Sequence, residues 1–155
     1  PAPDPAAYPV VEAPDPQRRP AADETSLAPG TALATLWSAA HAGQARPLLE
    51  LLQDDLPAYT EMGLAHPGRL ILAANGVLTA SVVLGPWIHV GSAVTNFDSV
   101  TDGAVVETRA RVADRYERKG HQFVVLDVVW VADGQVAMRA AHTAIYRLRG
   151  GTMDG

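Results

Sequence analysis

The chain has 155 residues, of which 48% are apolar and 19% are charged, a composition typical of one globular domain with its own core. Its formal net charge of −5 argues against nucleic acid as a partner, because phosphate binding usually needs a basic surplus. The chain has no cysteine and no apolar run long enough to cross a bilayer. This excludes disulfides, thiolate zinc sites and a membrane span, and it favours a cytoplasmic protein.

The first 30 residues hold eight of the twelve prolines. Because proline fixes φ and removes a backbone donor, this segment is predicted to form neither an ordinary helix nor a central strand. We expect an extended linker that packs over a neighbouring surface, with a disordered tail as the alternative. The chain opens on Pro1 rather than methionine, from which we expect that a further segment precedes it.

A first strand is predicted over residues 31–37, and leucines at helical spacing predict a helix over 45–55. Pro57 is expected to end that helix or to keep the chain after it extended. Residues 66–84 are apolar on almost all sides of a helix, which predicts a long buried helix. Its Gly76 and its alanines let other backbone come close.

Four strands are predicted after this helix, over residues 86–97, 104–117, 121–132 and 135–148. The second alternates, with Glu107, Arg109 and Arg111 on one face, and the third is almost entirely apolar, as in a central strand. Asp133 and Gly134 are a tight hairpin signal. Because the long apolar helix can be covered only by a sheet that wraps around it, the order of elements predicts an α+β protein with the hotdog fold.

The sequence resembles the MaoC-like hydratase and dehydratase family of hotdog proteins. The resemblance rests on "AHPGRLILAANGVL", "GPWIHVGSAV", the long hairpin sequence from "VVETRARV" to "VVWVADGQ", and "HTAIYRLR". It implies a hotdog domain over residues 31–149, between a Pro-rich linker at 1–30 and a flexible tail at 150–155. It also implies an acyl thioester of coenzyme A or acyl carrier protein as the ligand, and a second hotdog domain as the partner.

The family's hydratase motif, G-D-x-N-P-[IV]-H-x-D, corresponds here to "QDDLPAYTE", residues 53–61. In the family, the Asp and the His hold a water and act as general acid and base. Asp54 matches the Asp, but Tyr59 stands in place of the His. A tyrosine hydroxyl, with a pKa of about 10, is a poor base at neutral pH. We therefore predict Asp54 and Tyr59 as the catalytic positions of a degenerate site.

Other residues are candidates for binding the substrate. The resemblance places Glu61 and His66 near the mouth of the pocket, although His66 is also suited to cap the helix that follows it. Arg115, Arg118 and Lys119 form a basic turn that could hold the phosphates of coenzyme A, with a solvated hairpin end as the alternative. No metal or cofactor is predicted, because the histidines lack a close metal-ligand spacing.

Four polar residues in apolar elements are given structural roles. Asn75 is predicted to bond to the sheet, and Asp127 to pair with Arg109 or Arg111 on a neighbouring strand. His89 and His142 lie in strands and are predicted to be half-buried residues with satisfied hydrogen bonds.

Three hypotheses about function follow. The first is the non-catalytic half of a double-hotdog hydratase or dehydratase, which shapes the acyl pocket and pairs with a catalytic half. The second is an acyl-CoA thioesterase of the hotdog fold, with Asp54, Asp55 or Glu61 activating water. The third is a non-catalytic acyl-binding or assembly module, which is expected to dimerise because a curved sheet has exposed edges.

Overall fold

A computed structural model of the chain describes residues 1–39, 45–101 and 103–150. Of the predicted tail, 150–155, all residues after Gly150 lie outside the described ranges. The elements are β1 (Leu36–Ala39), α1 (Ala45–Leu52), α2 (Pro57–Thr60), α3 (Pro67–Ser81), β2 (Ile88–Asn96), β3 (Val105–Arg118), β4 (His121–Ala132) and β5 (Gln135–Arg147). The strands form one antiparallel sheet in the order β1-β3-β4-β5-β2.

The long helix α3 packs against one face of this sheet, as predicted. Its buried side chains lie in one core with residues of the strands and include Leu70, Ala74, Val77 and Leu78. Burying each large apolar side chain contributes about 1.5–3 kcal/mol. The indole Nε1 of Trp130 on β4 donates to the carbonyl oxygen of Leu70 at 2.7 Å and fixes the start of the helix on the sheet.

One part of the helix prediction is wrong, because α3 is not covered on all sides in a single chain. Leu72 is 59% exposed. The close approach predicted at Gly76 is confirmed: a Cβ there would lie 2.7 Å from Cδ1 of Leu36 on β1. Gly76 of α3 therefore faces β1, and an apolar residue of the same helix, Leu72, faces outward.

The strand predictions agree closely with the structure. On β3, Val106, Ala110 and Val112 are buried and alternate with the more exposed charged residues. The predicted bounds of β4 are the observed ones. Asp133 and Gly134 both have positive φ, 51° and 76°, as a tight hairpin requires.

Two local predictions differ from the structure. β1 begins at Leu36 rather than at residue 31, although Ala32 forms an isolated bridge to Arg111 on β3. Pro57 neither ends the first helix nor extends the chain. It opens the short helix α2, because the fixed φ of proline suits the first position of a helix.

The Pro-rich segment packs on both faces of this chain's own sheet. Tyr8 is only 2% exposed and contacts Val129, Val131 and Val136 on the outer face, away from α3. Further along the segment, Ala22 and Leu27 join the core beside α3. Two short 3-10 helices begin at prolines within residues 1–30, which contain no α-helix or regular strand.

Asp127 on β4 is the centre of a charged cluster on the outer face. It accepts hydrogen bonds from Arg111 at 3.0 Å, Arg139 at 2.7 Å and the hydroxyl of Tyr8 at 2.8 Å. Burial alone would raise the pKa of Asp127, but the hydrogen bonds from Arg139, Tyr8 and Arg111 outweigh burial and lower the pKa. Arg111 is thus the predicted partner. Arg109 instead donates to the carbonyl oxygens of Pro5 and Tyr8.

Candidate functional site

The segment between α1 and α3 holds the residues that match the family motif. Asp54 follows the end of α1, and its Oδ1 accepts from the backbone N–H of Leu56 at 3.1 Å, which turns the chain into α2. Tyr59 lies in α2, and His66 immediately precedes α3. The excursion through α2 brings Asp54 back beside the start of α3.

His66 caps α3 and pairs with Asp54. Its Nδ1 accepts from the backbone N–H of Gly68 at 3.0 Å, and its Nε2 lies 3.2 Å from Oδ2 of Asp54. Because Nδ1 is the acceptor, Nε2 carries the proton and donates it to the carboxylate. This cap is the structural role considered for His66. The pair with Asp54 was not predicted, because twelve residues separate the two and no sequence signal fixes the path of α2.

Tyr59 connects this pair to a cavity. Its ring centroid lies 4.7 Å from that of His66, and Tyr59 itself lines a cavity of about 370 Å³. The cavity lies between α2, the start of α3 and the chain that follows β2. Its walls are mostly apolar and include Leu64, Pro67, Leu70, Phe97, Val100 and Met138, with Asn96, Asp98 and Ser99 as polar groups.

The remaining predicted site residues do not join this cavity. Glu61 is exposed at the end of α2 and is not among the lining residues. Arg118 and Lys119 are exposed at the turn between β3 and β4, and Arg115 pairs with Glu24 of the Pro-rich segment at 3.3 Å.

The basic turn lies at one end of β4, whereas Trp130 contacts the start of α3 near the other end. At about 3.3 Å per residue, the distance along the strand is roughly 30 Å. Within one chain, the basic turn and the cavity are therefore far apart, and the phosphate role of Arg115, Arg118 and Lys119 stays a prediction.

A second polar group lies between α3 and the strands β2 and β5. Oγ of Ser92 on β2 is 2.8 Å from Nδ1 of His142 and 3.1 Å from Nε2 of His89. Nε2 of His142 is 3.1 Å from Oδ1 of Asn75 on α3, which confirms the predicted bond of Asn75 to the sheet.

The two histidines of this group are in different environments. Their rings stack with centroids 4.3 Å apart, but His142 is fully buried and His89 is exposed. The prediction that both histidines are half-buried is therefore wrong, because His142 is fully buried and His89 is exposed. Burial and then the neighbouring His89 lower the pKa of His142 to about 4, so it is neutral at pH 7. The sequence did not predict this group, because the register of β2 against β5 brings Ser92 opposite His142.

Other kinds of site receive no support from the described residues. They contain no cluster of three or more His, Asp or Glu side chains that could hold a metal ion. Within the same ranges, no helix is long and apolar enough to cross a membrane.

The fold is similar to that of solved proteins. An (R)-hydratase from A. caviae involved in PHA biosynthesis has a TM-score of 0.64 and 18% identity, covering 77% of this chain and 97% of that one. The HadBC (3R)-hydroxyacyl-ACP dehydratase complex from Mycobacterium tuberculosis has a TM-score of 0.63 and 18% identity, covering 76% and 95%. A MaoC-like dehydratase from Rhodospirillum rubrum has a TM-score of 0.62 and 16% identity, covering 80% and 96%.

These likenesses confirm the predicted α+β hotdog fold, and they make MaoC-like hydratases and dehydratases structural neighbours of this chain. No family model matches the chain, and no curated protein does. The reactions in the names of these proteins describe those proteins, and the similarity to this chain shows the fold alone.

Proposed function

We propose that this chain is a hotdog domain that binds an acyl thioester and works as the non-catalytic half of a hydratase or dehydratase. The observation that carries this proposal is that the carboxylate of Asp54 is bonded to His66. The sequence resemblance supplies the class of ligand, an acyl group carried by coenzyme A or acyl carrier protein, and the name of one neighbour, a (3R)-hydroxyacyl-ACP dehydratase, supports it. The loss of the motif histidine and the pairing of Asp54 with His66 supply the reason for a non-catalytic role.

Within the Asp54–His66 pair, the histidine has no free ring nitrogen with which to hold a water for acid–base chemistry. Both nitrogens of His66 are engaged, one by Gly68 and one by Asp54. Each oxygen of Asp54 accepts a hydrogen bond as well, from Leu56 or His66. Tyr59, the residue that does face the cavity, carries a phenol, which is a poorer general base at neutral pH than the imidazole that the motif has at this position.

The cavity suits an acyl chain. A volume of about 370 Å³ lies within the range of small-molecule pockets, which are mostly apolar and contain a few polar groups for orientation. Here the apolar walls come from Leu70, Phe97 and Met138, and the polar groups lie on one short segment, residues 96–99.

A second hotdog domain would cover surface that is open in the single chain. In the sheet of the described residues, β2 is an edge strand, and its Ile88 and Val90 are exposed. Leu72 on α3 is exposed too. Edge strands with apolar side chains favour pairing with another strand, and proteins usually manage such edges by covering them. This supports a dimer or a pseudo-dimer with a preceding half.

The test is to measure binding and hydration separately. Titration of the purified chain with a 2-enoyl-CoA, followed by calorimetry, is expected to show binding that weakens when Leu70→Asp places a charge in the cavity wall. The exposed Leu51→Asp is the matched control and should bind as the parent does. No hydration is expected from this chain alone. Hydration by the chain alone would contradict the non-catalytic role, and absence of binding would contradict the acyl-thioester ligand.

A further inference from the structure

The donor and the acceptor of each hydrogen bond around Ser92 can be assigned from the groups involved. Oδ1 of Asn75 can only accept, so Nε2 of His142 carries a proton and donates it. Nδ1 of His142 therefore keeps a lone pair, which accepts the hydroxyl proton of Ser92 at 2.8 Å. On the other side, Nε2 of His89 donates to the oxygen of Ser92.

We propose that Ser92 is a nucleophile that takes acyl groups from esters and thioesters, with His142 as its base. A hydroxyl bonded to a histidine, which is itself oriented by a third polar group, is the general arrangement of an activated serine. Asn75 is the orienting group and is a positioning residue. Two other serines differ, since the hydroxyls of Ser26 and Ser81 donate to backbone carbonyls.

The reaction balances with water as the co-reactant. Oγ of Ser92 bonds to the acyl carbon while its proton moves to Nδ1 of His142. The bond from carbon to sulfur then breaks, and the leaving thiolate takes that proton. Next, water bonds to the acyl carbon and gives its proton to His142, the bond to Oγ breaks, and Ser92 recovers the proton. The products are a carboxylic acid and a thiol.

Turnover at Ser92 depends on how readily His142 takes up a proton. Because His142 is fully buried, forming its cation is costly, and we expect slow acylation.

This site shares its class of substrate with the proposed function but uses none of the residues that line the cavity. Its nucleophile can therefore be tested without any coenzyme A. The probe is a fluorophosphonate, which forms a covalent bond with activated serines, and the labelled residue is identified by mass spectrometry of the full chain.

Labelling at Ser92 is expected, and Ser92→Ala should abolish it. Asn75→Ala and His142→Gln should slow it at least tenfold, whereas Asn75→Asp, which keeps an acceptor oxygen, should restore most of the rate. Ser38→Ala is the matched control, because Ser38 is exposed on the other edge strand, and it should change nothing. Thermal melts verify that each variant is folded, and Asn75→Ala decides the question if His142→Gln does not fold.

Absence of label on Ser92 would overturn the proposal. A labelling rate that Asn75→Ala leaves unchanged would overturn the orienting role of Asn75, and a rate that folded His142→Gln leaves unchanged would overturn the assigned base. Hydrolysis of p-nitrophenyl butyrate and butyryl-CoA should also disappear in Ser92→Ala while the 2-enoyl-CoA still binds the cavity. Label on Ser92 in a protein that binds no acyl-CoA would leave this inference standing and refute the proposed function.

Discussion

Two buried polar clusters occupy neighbouring positions of the same pair of strands and differ in almost every respect. Asp127 on β4 stands opposite Ala141 on β5, and the next position pairs Leu126 with His142. Because side chains alternate along a strand, Asp127 points to the outer face and His142 to the face that carries α3. One cluster is charged and the other is neutral.

The difference lies in where each cluster ends. The cluster around Asp127 closes on itself, since two arginines and the hydroxyl of Tyr8 converge on one carboxylate. The chain of bonds through His142 instead runs from Asn75 inside the protein to the exposed His89. A closed cluster holds segments together, whereas an open one connects the interior to a surface where chemistry can occur.

The largest expected effect comes from opening the closed cluster. Asp127→Asn removes the negative charge and leaves Arg111 and Arg139 without their anion. Removing one partner of a buried ion pair costs about 3–5 kcal/mol. Because both arginines are partly exposed, we expect the free energy of unfolding to fall by about 2–4 kcal/mol. Chemical denaturation measures this loss.

The matched control is Asp114→Asn on β3. Asp114 is exposed, and among the described residues its carboxylate bonds only to the adjacent backbone N–H of Arg115. A change within about 0.5 kcal/mol is expected there. Equal losses for the two variants would show that the convergence of arginines on Asp127 does not stabilise the fold.

The open cluster is expected to make stability depend on pH. His142 has a pKa of about 4 in the folded protein and about 6.5 when unfolded. Between these values the unfolded state binds more protons, so the contribution is fully present above about pH 6.5 and is lost as the pH falls to about 4. One pKa unit corresponds to about 1.4 kcal/mol, so a difference of about 2.5 between the two pKa values makes the loss at most about 3.5 kcal/mol.

Denaturation midpoints at pH 7, 5.5 and 4.5 measure this dependence. His142→Gln should be less stable than the parent at pH 7 and nearly independent of pH over that range. Asp127 does not contribute to this window, because its lowered pKa makes its own loss begin only below about pH 4. A parent protein with a flat profile between pH 7 and 4.5 would refute the burial of neutral His142.

The sheet could be predicted from the sequence because its signals are local. Each element can be recognised from a few neighbouring residues. The alternation along β3 and the apolar run of β4 indicate strands, and the Asp133–Gly134 turn indicates a hairpin. The start of β1 was misplaced because residues 31–35 look like a strand but form only isolated contacts with β3. Pro57 was misread because proline suits a helix start as well as a helix end.

The candidate sites were less predictable, because they depend on distances between residues far apart in the chain. The motif register placed Asp54, Tyr59 and His66 in one region, and the structure brings these three together. It could not show that His66 engages Asp54, since that contact depends on the turn through α2. Ser92 carried no signal at all: its neighbours come from β2, β5 and α3, whose register only the folded sheet defines.

The smallest effect on stability is expected at the Asp54–His66 pair. This pair combines a carboxylate, as in the cluster around Asp127, with a histidine, as in the cluster around His142. It is partly exposed and joins one carboxylate to one histidine. His66→Ala removes both the cap on Gly68 and the bond to Asp54, and loss of a helix cap costs about 1 kcal/mol. His66→Asn should retain most of that stability, because asparagine is a good cap although it is too short to reach Asp54 as histidine does. Urea denaturation of the two variants separates the contributions. If His66→Asn is as unstable as His66→Ala, the bond to Asp54 rather than the cap stabilises this segment. The pair would then hold segments of the chain together, as the cluster around Asp127 does.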